Sequence, residues 1–154
     1  MWFLAGTAGV PPIAERTCTV PADKAVLFPV INCINWMGAP SDTSTSIRND
    51  AKAWLTHVSE MEASVDGVAL EGLANFAFFS PSNFFFTAPA TDDECVWPGM
   101  SGRREACSIG YWLMLEPLSP GPHTIHFRGQ VVWAATFPNV QEFETEVTYH
   151  LTVE

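Results

Sequence analysis

The sequence predicts a mainly β protein: a two-layer antiparallel β-sandwich or jelly roll with one covering α-helix over about residues 46–60. Three observations carry that expectation. In the C-terminal stretch EFETEVTYHLTV, residues 142–153, Phe143, Thr145, Val147, Tyr149, Leu151 and Val153 fall on one face of a strand and Glu144, Glu146, Thr148, His150 and Thr152 on the other. Twelve prolines and ten glycines cut the chain into short pieces bounded by turn residues. With 47% hydrophobic and 16% charged residues, the composition is that of an ordered domain able to fill a core.

Each element follows from local chemistry. RTCTV (16–20) alternates, with Arg16, Cys18 and Val20 on one side and two threonines on the other. AVLFPVI (25–31) is nearly continuous in apolarity and reads as buried on both faces; Pro29, with no N–H for a ladder, marks a bulge or an edge. From Ser46 onward, Ile47, Ala51, Trp54, Leu55 and Val58 recur at helical spacing as a core-facing stripe, and Thr45 or Ser46 can cap the first turn. Val65 and Val68 bracket Asp66-Gly67, a pair that accepts the positive φ values of a type I′ hairpin. LANFAFF (73–79) and SPSNFFFTAP (80–89) read as short aromatic-rich strands, and FAFFSPSNFFF (76–86) within them as filling the space between sheets. YWLML and HTIHF flank EPLSPGP, whose prolines and glycine must leave the sheet, so the two are expected to pair as antiparallel neighbours. QVVWAATF (130–137) adds a strand before the last one. No repeat or low-complexity tract divides the chain, and a single domain over 1–154 is expected.

Charge narrows the function classes. Seventeen acidic residues against seven basic ones give a net charge of −10, which repels phosphate backbones and anionic headgroups, so nucleic acid and membrane surfaces are not expected partners. No run reaches the ~18 apolar residues of a spanning helix, so membrane insertion is not expected either. MWFLAGTAGV is apolar but lacks the basic n-region and cleavage pattern of a signal peptide. Cys18, Cys33, Cys95 and Cys107 allow three pairings, none with Cys-x-x-Cys spacing. Two disulfides are expected, Cys95–Cys107 across a polar loop and Cys18–Cys33 between early strands, with four buried free thiols as the alternative.

WFLAGT, RTCTVPADKAVLFPVIN, SVDGV, GYWLMLEPLSPGPHTIHFRG and VTYHLTV resemble, in that order, a family of small uncharacterised bacterial proteins commonly made with a secretion leader. The likeness covers most of the chain and is weakest from Asp92 to Cys107. It implies a secreted or periplasmic setting, where cysteines can pair, and brings no catalytic residues. The L-x-P-L-S-P-G-x-H-T-I element is also similar to hairpins of immunoglobulin-like sandwiches, which bears on fold alone.

Candidate chemistry is sparse. His123 and His126 are three apart on a strand and point to opposite faces, so they do not form one chelate. His126 shares its outward face with Thr124 and Arg128, and His150 shares its own with Glu144 and Glu146. If those strands are neighbours, His126, His150 and Glu146 meet across the sheet as a catalytic or metal site. Asp92, Asp93 and Glu94 form a candidate calcium loop without EF-hand spacing. Ser101 in GMSG lacks the nucleophile-elbow pattern, and no phosphate loop, zinc-protease helix or dinucleotide fingerprint occurs. Among six tryptophans and eleven phenylalanines, Trp36, Trp97 and Trp133 are the candidate contacts for a small-molecule or carbohydrate ligand. Three readings follow: a secreted or envelope-associated binding module with calcium as its candidate ion; a small hydrolase of esters or lactones with a calcium- or histidine-centred site; or a structural domain whose strand edges pair between copies.

Overall fold

The computed structural model describes residues 1–9, 11–91, 99–132 and 142–154. Mostly strand, with one α-helix, it contains two mixed sheets. The strands are β1 (Trp2–Phe3), β2 (Ile13–Val20), β3 (Val26–Trp36), β4 (Val58–Val65), β5 (Val68–Ala69), β6 (Ala77–Phe79), β7 (Phe84–Thr87), β8 (Arg103–Leu115), β9 (Gly121–Val131) and β10 (Phe143–Val153). Helix α1 spans Ser44–Leu55, and a 3-10 turn spans Leu73–Phe76. One sheet runs β1-β3-β8-β6, with β7 also paired to β8; the other runs β2-β10-β9-β4-β5. The chain forms two compact units, the first made of Met1–Asn32, His57–Ala77 and Gly110–Glu154, the second of Cys33–Thr56 and Phe78–Ile109.

In the first unit the two sheets face each other across an apolar core. Phe28 and Val30 of β3 and Leu113 of β8 meet Ile125 and Phe127 of β9 and Val147, Tyr149 and Leu151 of β10. The Phe28 and Phe127 rings stack at 5.1 Å. The period-two pattern of the last strand is realised as read, with Thr145, Val147, Tyr149, Leu151 and Val153 all buried. Close approach is permitted by Gly129, where a Cβ would lie 2.5 Å from Ile31 Cβ and 2.9 Å from the Val30 carbonyl oxygen. Asp66 and Gly67 adopt φ of 51° and 77°, the type I′ geometry that their sequence calls for.

The sheets depart from the all-antiparallel expectation. β1 lies parallel to β3, and β2 parallel to β10. Parallel neighbours need long connections, and these have them: β2 intervenes between β1 and β3, while β2 and β10 stand near opposite ends of the sequence. Leu4 N–H donates to the Leu27 carbonyl at 2.9 Å, and the β1 ladder goes no further along β3, where Pro29 offers no donor.

The expected hairpin of YWLML with HTIHF is also corrected. β8 and β9 lie in different sheets, so EPLSP crosses from one layer to the other. β9 is flanked by β10 on one side and β4 on the other, which leaves no ladder position for β8, and the prolines of the connection supply no strand donors. The helix is shifted as well. Its cap is Thr43, whose Oγ1 accepts from Ser46 N–H at 3.0 Å while Ser46 Oγ accepts from Thr43 N–H at 2.9 Å. It stops at Leu55, not near residue 60, because Val58–Val65 alternates and pairs with β9. Val58, counted in the helical stripe, is a strand residue.

Candidate functional site

Three places gather the polar or exposed side chains that the sequence marks out. On the outer face of β4, β9 and β10 in the first unit, Arg128 sits opposite Glu146 on one side and Glu62 on the other. Its Nε donates to Glu144 at 2.7 Å and its Nη1 to Glu60 at 2.5 Å, with Glu62 at 3.7 Å and Glu146 at 3.8 Å. These carboxylates, Glu144 first and then Glu60, hold the guanidinium further above its already high range. His126 Nε2 lies 3.3 Å from Glu146 Oε1, so that part of the expected cluster assembles. His150 does not join it: its Nε2 lies 2.6 Å from Glu15 Oε1 on β2. The cross-strand register pairs His150 with Thr124 and His126 with Thr148, and each imidazole turns to a different carboxylate. Among the described residues no group of three metal-ligating side chains converges.

A second constellation was not anticipated. The Asp66 turn and the proline-rich turn before β9 meet at His123, whose Nδ1 lies 2.7 Å from Asp66 Oδ2. The other carboxylate oxygen accepts from Thr124 N–H at 2.8 Å. His123 Nε2 lies 2.8 Å from the Ser119 carbonyl oxygen and 3.3 Å from Ser119 Oγ. The order Ser119–His123–Asp66 has the connectivity of a nucleophile relay, but the carbonyl is the nearer partner of Nε2. An imidazolium donating to Asp66 at one nitrogen and to Ser119 O at the other satisfies both distances, and it acts as a staple between the two turns. The hydrogen bond with Asp66, then that with Ser119, raise the His123 pKa. Asp66 is lowered, first by Thr124 N–H and then by His123. The Asp66-Gly67 turn was readable from the sequence; its partner, 57 residues further on, required the layer crossing.

The third place lies in the second unit. FAFFSPSNFFF (76–86) is expected to fill the interior, yet Phe78, Phe84 and Phe85 are 59%, 36% and 56% exposed. β6 and β7 run along the margin of β8, where a side chain has sheet on one side only. The Arg103 guanidinium lies 3.8 Å from the centroid of the Phe85 ring. Just before β7, Asn83 Oδ1 accepts from Arg48 Nη1 at 3.1 Å, and its Nδ2 donates to Glu105 Oε1 at 2.7 Å. Ser44 Oγ donates to the same Glu105 oxygen, and the two donors, Ser44 first, hold the Glu105 carboxyl below its usual range. Helix α1 thereby fixes the start of β7.

Trp36 is half-buried, its Nε1 donating to the Gly99 carbonyl at 3.1 Å; Trp97 and Trp133 lie outside the described residues, as do Asp92, Asp93, Glu94 and Cys95. Among the described residues, Cys18, Cys33 and Cys107 form no disulfide with one another. Burial, with Cys107 adding to it, pushes Cys33 up to about 12. Such a thiol is a poor nucleophile.

No family model and no curated protein matches the chain. Among solved structures it is similar to the crystal structure of a cysteine protease inhibitor from Entamoeba histolytica, at 13% identity over 92% of this chain and 94% of that one, with a TM-score of 0.29. A TM-score of that size does not establish a shared fold. The described residues form a mainly β protein with one α-helix and an exposed aromatic strand margin.

Proposed function

We propose that this protein is a non-catalytic binding module, of secreted or envelope-associated type, that takes an extended polypeptide segment along the phenylalanine-bearing margin of β7. One observation carries the reading: two adjacent phenyl groups stand exposed on a strand whose start is fastened by the Arg48–Asn83–Glu105 network. Exposed aromatics grouped on an ordered element mark interaction surfaces, and a strand margin adds main-chain hydrogen bonds to side-chain contact. Immobilised full-length protein presented with a library of short extended peptides, with linear oligosaccharides as the comparison arm, tests it. Peptide capture that Phe85→Lys abolishes is the expected result. Equal capture by both proteins, or capture of saccharides alone, overturns it.

A second reading, hydrolysis of esters or lactones, draws on Ser119, His123 and Asp66. It requires Nε2 to release the Ser119 carbonyl and accept the Ser119 hydroxyl proton. Stoichiometric labelling of Ser119 by a fluorophosphonate would establish it, and an unlabelled protein ends it. Calcium at Asp92, Asp93 and Glu94 is proposed on composition and tested by titrating chelator-stripped protein calorimetrically, where a flat trace removes it. The expected Cys95–Cys107 and Cys18–Cys33 bridges are tested by alkylating unreduced, unfolded protein: four modified thiols exclude them.

A further inference from the structure

We infer that the occupant of the β7 margin is a second copy of this chain, paired antiparallel across a two-fold axis through Phe85. This rests on the binding reading above and names its partner. Among the described residues, β7 is hydrogen-bonded to β8 on one side, and no strand pairs with it on the other. The phase of the ladder follows from Ala88 N–H, which donates to the Gly102 carbonyl at 2.9 Å. Backbone groups alternate in direction along an antiparallel strand, so Phe84, Phe86 and Ala88 turn theirs toward β8, and Asn83, Phe85 and Thr87 turn theirs outward.

The sequence of this margin reads nearly the same in both directions about Phe85. Pro81 and Pro89 stand four residues to either side; within them come Ser82 and Ala88, Asn83 and Thr87, Phe84 and Phe86. A two-fold axis normal to a sheet keeps every side chain on its own face, so a residue can oppose only partners an even number of positions away. Centred on Phe85, the axis sets Phe85 against Phe85, Phe84 against Phe86, and Asn83 against Thr87. All three pairings match aromatic with aromatic or polar with polar. The same centre brings the outward N–H and C=O groups of Phe85 together and those of Asn83 and Thr87 together, so three residue pairs exchange hydrogen bonds. An axis on Phe84 or Phe86 engages two such pairs and sets a phenyl group against Asn83 or Thr87. No charged residue lies between the two prolines, so a chain with a net charge of −10 meets itself here without opposed carboxylates on the pairing strand. The prolines end the ladder symmetrically.

Sedimentation equilibrium of the full chain over about 5–500 µM, the range suited to a small transient interface, is expected to show a monomer passing to a dimer. Phe85→Lys is expected to raise the dimer dissociation constant at least tenfold. Thr87→Pro is expected to do likewise, because it removes an outward N–H that donates to no partner among the described residues. Ile13→Lys, on the β2 margin, leaves dimerisation unchanged. Phe85→Cys, oxidised and mapped by mass spectrometry, is expected to give the 85–85 linked peptide in excess of the 87–87 peptide from Thr87→Cys. A chain that stays monomeric throughout, or a dimer indifferent to Phe85→Lys and Thr87→Pro, overturns the inference. If the monomer still captures peptide in a Phe85-dependent way, the binding reading survives without it; if capture is indifferent too, both fall.

Discussion

β2 and β7 are both marginal strands, and they are protected in opposite ways. β2 has eight residues, pairs along its length with β10, and carries Glu15 and Arg16. Arg16 Nη1 donates to the Ala5 carbonyl at 2.6 Å and to Tyr149 Oη at 2.8 Å, while Glu15 meets His150. A margin long enough to recruit another strand is thus guarded by charge and tied to its own unit. β7 has four residues, no charge and exposed phenyl groups; it pairs along its length with β8 and is fastened at its start by Asn83. The charge census follows the same division. Of seventeen acidic and seven basic residues, eleven and three lie in the first unit, six and four in the second. Self-repulsion is concentrated in the unit that does not carry the aromatic margin.

The largest expected effect falls at Arg16 on β2. Arg16→Ala removes donors to Ala5, Gly6 and Tyr149, and an expected loss of about 1–3 kcal/mol from charged hydrogen bonds is measurable by urea unfolding. Unchanged stability would mean that β2 is held by its ladder alone.

The other margin of the same sheet, β4–β5, is fastened by Asp66 and His123, and its contribution depends on pH. Because the His123 pKa is raised in the fold, its stabilisation is complete below the ordinary imidazole value of about 6.5 and is lost as pH climbs through the raised value. Because the Asp66 pKa is lowered, its stabilisation holds above the ordinary carboxyl value of about 3.9 and fades as pH falls below it. The stability gap between the protein and His123→Ala is therefore expected to be widest near about pH 5 and narrower near about pH 8. A gap independent of pH would show that folding leaves the His123 pKa where it stands in the unfolded chain.

Phe85→Lys, so damaging to association, is expected to cost the monomer about 0.5–1 kcal/mol, because it replaces the ring beneath the Arg103 guanidinium with a like charge. A larger loss in thermal melts would place Phe85 among packing residues. Smallest of all is Ile13→Lys. Although Ile13 is 61% exposed on β2, replacing it is expected to alter neither stability nor mass, because that margin is already guarded by charge.

The fold class, the helix, the Asp66-Gly67 turn and the faces of the last strand were legible because each rests on periodicity or turn chemistry within about a dozen residues. His126 with Glu146 was legible for the same reason, once the two strands are neighbours. His150 was not, since its partner Glu15 belongs to a strand near the other end of the sequence. Phe76, Phe78, Phe84 and Phe85 of the aromatic run at 76–86 stand exposed because apolarity signals burial only where other elements cover it, and at this sheet margin no described element does.

The sequence by itself determined which residues alternate, where turns form and that a sandwich-like core could close, because steric preference and side-chain period act locally. Only the tertiary structure decided that β8 and β9 enter different sheets, that β1 and β2 run parallel to their partners, and that His123 reaches both Asp66 and Ser119. Those outcomes depend on which hydrogen-bonding margins are already filled when distant segments meet, and a linear pattern carries no record of that competition.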